Sequence, residues 1–171
     1  CTPAHGLIDA TFAARRQPGF TLDSIESVEA DLHTFSLLRS DPQDEDAAGF
    51  SGAFLVATAL IHGEFGLEQV SEEAVHDPEI RALMARVVPA KSVIDGIDTV
   101  TIRYRGGKYV TGKNTARPTY IYSDAETAAK FRLSAKGVIL ASDIEGLIEV
   151  ICTLETQPNL RRLTSLAAGR I

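Results

Sequence analysis

Val100-Thr-Ile-Arg-Tyr104-Arg-Gly-Gly107-Lys-Tyr-Val110 decides the fold class. Val100, Ile102 and Tyr104 alternate with Thr101, Arg103 and Arg105, the period of a strand with one buried face. Gly106-Gly107 tolerates the positive φ angles of a tight turn, and Lys108-Tyr109-Val110 begins the return strand. The stretch predicts a β-hairpin, so the chain is not all-helical. The two glycines do not form a phosphate loop: no helix follows them and the P-loop spacing is absent.

Outward from the hairpin, Val28, Ala30 and Leu32 alternate with Glu29, Asp31 and His33, which predicts a half-buried strand with Asp31 and His33 on its wet face. Arg86-Val-Val-Pro89 reads as a short strand whose proline marks an end or an edge. Helical spacing of Ala4, Leu7, Ile8, Thr11 and Phe12 predicts a helix from about Pro3 to Arg16, stopped by Gln17-Pro18-Gly19. Phe50 to His62, rich in small residues, predicts a second helix ending at Gly63. Asp77-Pro78-Glu79 supplies the cap, first position and acidic first turn of a third, through Met84. Ser123 with Glu126 and Ser142 with Glu145 are capping boxes that open two closing helices. Ile144, Leu147, Ile148, Ile151 and Leu154 form the apolar stripe of the last one, with Cys152 expected as an inert core thiol. Ser40 to Asp46 is expected to be a solvated acidic loop, because it lacks the ligand spacing and turn glycine of a calcium loop. The order of elements predicts an α+β fold, with a small antiparallel or mixed sheet covered by helices, in a single domain over residues 1–171.

Apolar residues make up 44% and charged residues 23% of the 171, an ordinary globular composition. The net charge of −6 argues against a nucleic acid or an anionic membrane as partner, while leaving room for a locally basic pocket. The longest apolar run, Ala53 to Ile61, is too short to span a bilayer. With no secretory signal in the sequence, the expected location is cytoplasmic. Two cysteines, Cys1 and Cys152, do not make a disulfide framework. There is no C-x-x-C, no histidine pair at metal-binding spacing, no dinucleotide fingerprint and no G-x-S-x-G, so neither a metal nor a cofactor is expected.

The chemistry-bearing residues gather in Cys1-Thr-Pro-Ala-His5-Gly-Leu-Ile-Asp9-Ala. Thr2 suits an N-cap and Pro3 the first helical position. His5 and Asp9, four apart, share a helix face, so the carboxylate can brace the imidazole. Cys1 precedes the cap, where the helix's positive end favours a thiolate. Trios at such spacing are more often surface coincidences than sites. Taken alone, the residues describe an α+β domain compatible with part of an enzyme. A chain opening on Cys rather than Met fits removal of an initiator Met, truncation or proteolysis of a precursor. The last would place a nucleophile and an amine base in one residue.

Several stretches together resemble the C-terminal domain of the MmgE/PrpD family. Cys1 to Ala10 is similar to its "C-x-x-[TS]-H-x-x-I-D-A" start, and Gly49-Phe50-Ser51 through Gly63 to its "K-F-S … A-x-A-L-x-x-G" helix. Asp77 to Val87 resembles "D-P-x-[IV]-x-x-L-x-x-[RK]-V", and Lys130-Phe131-Arg132 a late "K-F-x" helix. The family includes 2-methylcitrate dehydratase, cis-aconitate decarboxylase and iminodisuccinate epimerase. The resemblance implies metal-free and cofactor-free proton chemistry on a small polycarboxylate. It also implies an upstream helical domain carrying much of the active site, and a homodimer. It makes Cys1, His5 and Asp9 the catalytic candidates, and Ser51 and Phe54 the substrate-binding ones. Phe54 stands where the decarboxylase carries a tyrosine, and Gly49 replaces the usual Lys or Gln, which counts against decarboxylation of cis-aconitate. Two rival expectations accompany this one: a self-cleaved N-terminal-cysteine hydrolase of an amide or ester, and a lid or binding module without chemistry.

Overall fold

A computed structural model of the chain describes residues 2–31, 41–90, 97–114 and 123–168. The chain divides into two compact units, residues 1–119 and 120–171. Among the described residues there are eight α-helices and one four-stranded mixed sheet, an α+β fold.

The first unit runs α1 (Thr2–Arg15), β1 (Ile25–Ala30), α2 (Glu45–Ala48), α3 (Gly52–His62), α4 (Glu72–His76), α5 (Pro78–Met84), β2 (Val87–Pro89), β3 (Asp98–Tyr104) and β4 (Tyr109–Asn114). The sheet order is β2-β1-β3-β4, with β1 and β2 parallel and the other pairs antiparallel. A parallel pair needs a long crossover, and α2 to α5 supply it. The glycine hairpin forms as read, with Gly106 and Gly107 at φ 96° and 83°. Pro89 lies on the edge strand β2, where its missing N–H costs nothing.

The capped helices form for the reasons their sequences give. Asp77 accepts from the backbone N–H groups of Glu79 (2.7 Å) and Ile80 (3.1 Å), ahead of Pro78. Ser51 caps α3 by accepting from the Phe54 N–H at 3.3 Å, and Gly63 ends it at φ 75°. The core joins Leu7, Ala10 and Ala14 of α1 to Phe54, Leu55 and Leu60 of α3 and to Ile25, Val28, Val100 and Ile102 of the sheet. Arg15 ties the end of α1 to the end of α3: its guanidinium donates to Leu60 O at 2.9 Å and Ile61 O at 3.4 Å, and sits 5.2 Å from the Phe20 ring. Those carbonyls lie at a helix C-terminus, where a cation is favoured.

Several expectations change here. The first strand starts earlier, at Ile25, because a register shift between Ile25 and Ser27 breaks the alternation and lets Ile25 and Val28 both face inward. Leu32 and His33 lie outside the described residues. Asp31 is buried, not wet: pairing ends at Ala30, and beyond it the Asp31 N–H donates to Thr99 O at 3.0 Å. Thr2 is the first residue of α1 rather than a cap before it. Of the expected acidic loop, Asp41 to Asp44 lead into α2, with Asp44 as cap and Glu45 and Asp46 as the first turn.

The second unit holds α6 (Asp124–Ala135), α7 (Ala141–Cys152) and α8 (Arg161–Ala167). The Ser123–Glu126 capping box forms: the Glu126 carboxylate accepts from Ser123 N (2.8 Å) and Oγ (2.7 Å). The Ser142–Glu145 box does not. Helix α7 begins at Ala141, with Leu140 at the cap position, so Ser142 is already inside it. Glu145 instead takes both nitrogens of a fork from Arg132, at 2.6 and 2.9 Å, a charge-assisted pair stronger than a cap bond to serine. The buried stripe of α7 is Ile144, Leu147 and Val150, whereas Ile151, Leu154 and Cys152 are exposed. Cys152 is therefore not a core thiol: it falls two residues past Val150, off the buried stripe. A third helix, α8, follows the two that the sequence predicts; Arg162 on it meets Glu149 of α7 at 2.6 Å.

Candidate functional site

Helix α1 carries two faces with different jobs. Leu7, Ala10, Thr11 and Ala14 are buried, while His5 and Asp9 are exposed one turn apart. The Thr11 hydroxyl turns back to Leu7 O at 2.8 Å, so the buried side leaves no polar atom wanting. The exposed side thus presents an imidazole and a carboxylate in the first half of the helix. Cys1 lies outside the described residues.

The helix sits very close to the sheet. A Cβ placed on Gly112 of β4 would stand 2.0 Å from Ala10 O and 2.2 Å from Ala14 N, so strand and helix meet backbone to backbone. Nearer the start of α1, Gly6 meets the side chains of Asp98 and Asn114, the terminal partners of the β3–β4 ladder. Asp31, buried, is hydrogen-bonded through its backbone to Thr99, the residue after Asp98. The end of the sheet where α1 begins therefore gathers Asp31, Asp98 and Asn114 beside the helix bearing His5 and Asp9. None of these five residues is without a partner.

Ser51 and Phe54 are placed together at the start of α3, and both are fully enclosed. The serine oxygen is engaged in the cap, and the phenyl ring is part of the core, so in this conformation neither offers an atom to a ligand. Two cavities among the described residues lie elsewhere. One, of about 230 Å³, is lined by residues including Ile61, Leu83 and Arg86 in the first unit. The other, about 490 Å³, is an open groove in the second unit beside Lys136 to Ala141. Among the described residues no group of three His, Cys, Asp or Glu is gathered to hold a metal ion.

The MmgE/PrpD C-terminal domain matches residues 1–155. The chain belongs to the MmgE/PrpD family. The match runs from the exposed His5–Asp9 turn through the sheet and α7, so the family domain includes His5, Asp9, Ser51, Phe54, Asp98 and Asn114. No curated protein matches the sequence. None of the described helices is long and apolar enough to cross a membrane.

Reading the sequence missed Gly6, Gly112, Asp98 and Asn114. A signal was there: Gly6, Ala10 and Ala14 recur every four residues, a stripe of small residues suited to close approach. Gly112 sits inside a strand, where glycine marks a bulge or an approaching backbone. Asp98 and Asn114 gave none, because their pairing depends on the register of two strands.

Proposed function

We propose that this chain is the C-terminal part of a lyase or isomerase that removes a proton next to a carboxylate of a small polycarboxylate. Membership of the MmgE/PrpD family, with His5 and Asp9 exposed together on the first helix of the matched domain, carries the reading. In the proposed step the C–H bond breaks, the proton passes to a base, and the electron pair moves into an enolate-like carboxylate. The intermediate then either expels its leaving group as a second acid protonates it, or takes a proton back. His5, braced by Asp9, is the acid/base; Cys1 is the second acid. An imidazole suits the role because its ordinary pKa lies near neutrality. Fixed cations are needed for the substrate carboxylates and the developing charge, and an upstream helical domain would supply them. The full protein is proposed to be a homodimer, and this chain alone inactive.

The test is turnover by the full-length protein, with 2-methylcitrate, cis-aconitate and iminodisuccinate as probes beside a panel of simple amides and esters. Turnover of at least one polycarboxylate, lowered about 100-fold or more by His5→Gln, is expected. Hydrolysis of an amide or ester alone would favour the N-terminal-cysteine alternative, and polycarboxylate binding without turnover a lid module; either result overturns the proposal.

A further inference from the structure

Glycine inside a helix costs roughly 1 kcal/mol against alanine, so Gly6 in α1 calls for a reason. A Cβ there would stand 1.9 Å from Asp98 Oδ2, 2.9 Å from Asp98 Cγ and 3.1 Å from Asn114 Nδ2. A carboxylate and a carboxamide occupy the space where any other side chain would begin. Asp98 and Asn114 face each other across the β3–β4 ladder, which fixes their backbones. The helix is thus seated at two points. Gly112 sets its distance from the strand through Ala10 and Ala14, and the Asp98–Asn114 pair holds the half that carries His5 and Asp9. Helix α1 has no acidic residue in its own first turn. Asp98 brings a carboxylate from the sheet against the Gly6 backbone in that half.

We infer that Asp98, together with Asn114, is a positioning residue for the His5–Asp9 face. Its carboxylate holds the first turns of α1 against the end of the sheet, and so fixes where His5 stands. The kinetic consequence rests on the acid/base reading of His5; the structural consequence does not.

The experiment uses the full-length protein and Asp98→Asn, which keeps the size of the side chain and removes its charge. Amide hydrogen exchange is followed over residues 4–11 and, as an internal control, 52–62. Exchange in the α1 segment should rise about tenfold with the α3 segment unchanged, the sign of an opening made easier in that segment alone. On whichever probe is turned over, kcat should fall about tenfold with KM within about twofold, the split expected when the acid/base moves but binding does not. Wild-type exchange in 4–11 overturns the inference. So does faster exchange with unchanged kcat, which would leave Asp98 merely structural. If no probe is turned over, the function reading fails by itself and the exchange result decides whether Asp98 seats the helix. Should Asp98→Asn not fold, Asn114→Ser, which trims the other member of the pair, must give the same localised exchange, and its absence overturns the inference.

Discussion

Gly112 is the residue on which the seating of α1 depends most sharply. The atoms a new Cβ would meet are backbone atoms of Ala10 and Ala14, which cannot swing aside as a side chain would. Gly112→Ala should therefore push the helix off β4 and cost roughly 3 kcal/mol, the upper part of the range for overpacking. Denaturant unfolding of the folded variant measures this. A loss below about 0.5 kcal/mol, ordinary for a surface substitution, would contradict the close approach. At this scale the sequence was legible wherever a residue acts on its immediate neighbours: Gly106-Gly107 in the turn, Asp77 ahead of Pro78, Gly63 past α3. It was not legible where a residue answers to a distant partner. Gly112 answers to α1, Arg15 to the carbonyls ending α3, and Asp31 to Thr99.

The elements show the same division through their caps. Ser123 with Glu126 and Ser142 with Glu145 have the same spacing, yet only the first is a box: α7 starts at Ala141, which leaves Ser142 inside the helix, and Glu145 pairs with Arg132 instead. Hydrogen bonds from the Ser123 side chain and backbone hold the Glu126 carboxyl below its ordinary range, and the bond from Arg132, with its charge, does the same for Glu145. A carboxylate whose folded pKa is depressed stabilises the fold above its ordinary value, and that contribution is lost as pH falls through the lower, folded value. Acidification through the carboxylate range should accordingly fray the start of α6 and loosen α6 from α7. Hydrogen exchange over residues 124–145 should rise as pH is lowered, after correction for the intrinsic rate, while Glu126→Gln removes the part at the start of α6. The Arg132–Glu145 part should weaken with added salt, since both side chains are solvent-exposed. Exchange in this segment independent of pH would contradict the account. The start of β1 departs from the sequence pattern for a related reason: a bulge shifts the period, and only the pairing with β3 reveals it.

For the whole molecule, the fold class followed from a few local decisions: one hairpin, two further strands and the helices between them. The mixed character of the sheet was not legible: the long connection from β1 to β2 permits a parallel pair but does not impose one, and only the pairing of Val28 with Val87 shows it. The placement of the candidate residues was legible in part. His5 and Asp9 could be placed on one helix face by spacing alone, and they are exposed there. The burial of Ser51 and Phe54 could not be read, since a serine ahead of a helix looks the same whether it caps in the core or lines a cleft. Family membership and the exposed imidazole together lead to the central claim, proton removal next to a carboxylate by His5. The most direct measurement uses the polycarboxylate the full-length protein turns over, labelled with deuterium at the carbon next to a carboxylate, in ordinary water and with His5→Gln beside wild type. The account predicts that turnover releases this deuterium to the solvent, because the C–H bond breaks whether elimination or reprotonation follows, and that the rate of release falls about 100-fold or more with His5→Gln. Turnover that retains all the deuterium, or release at the wild-type rate in His5→Gln, would contradict it.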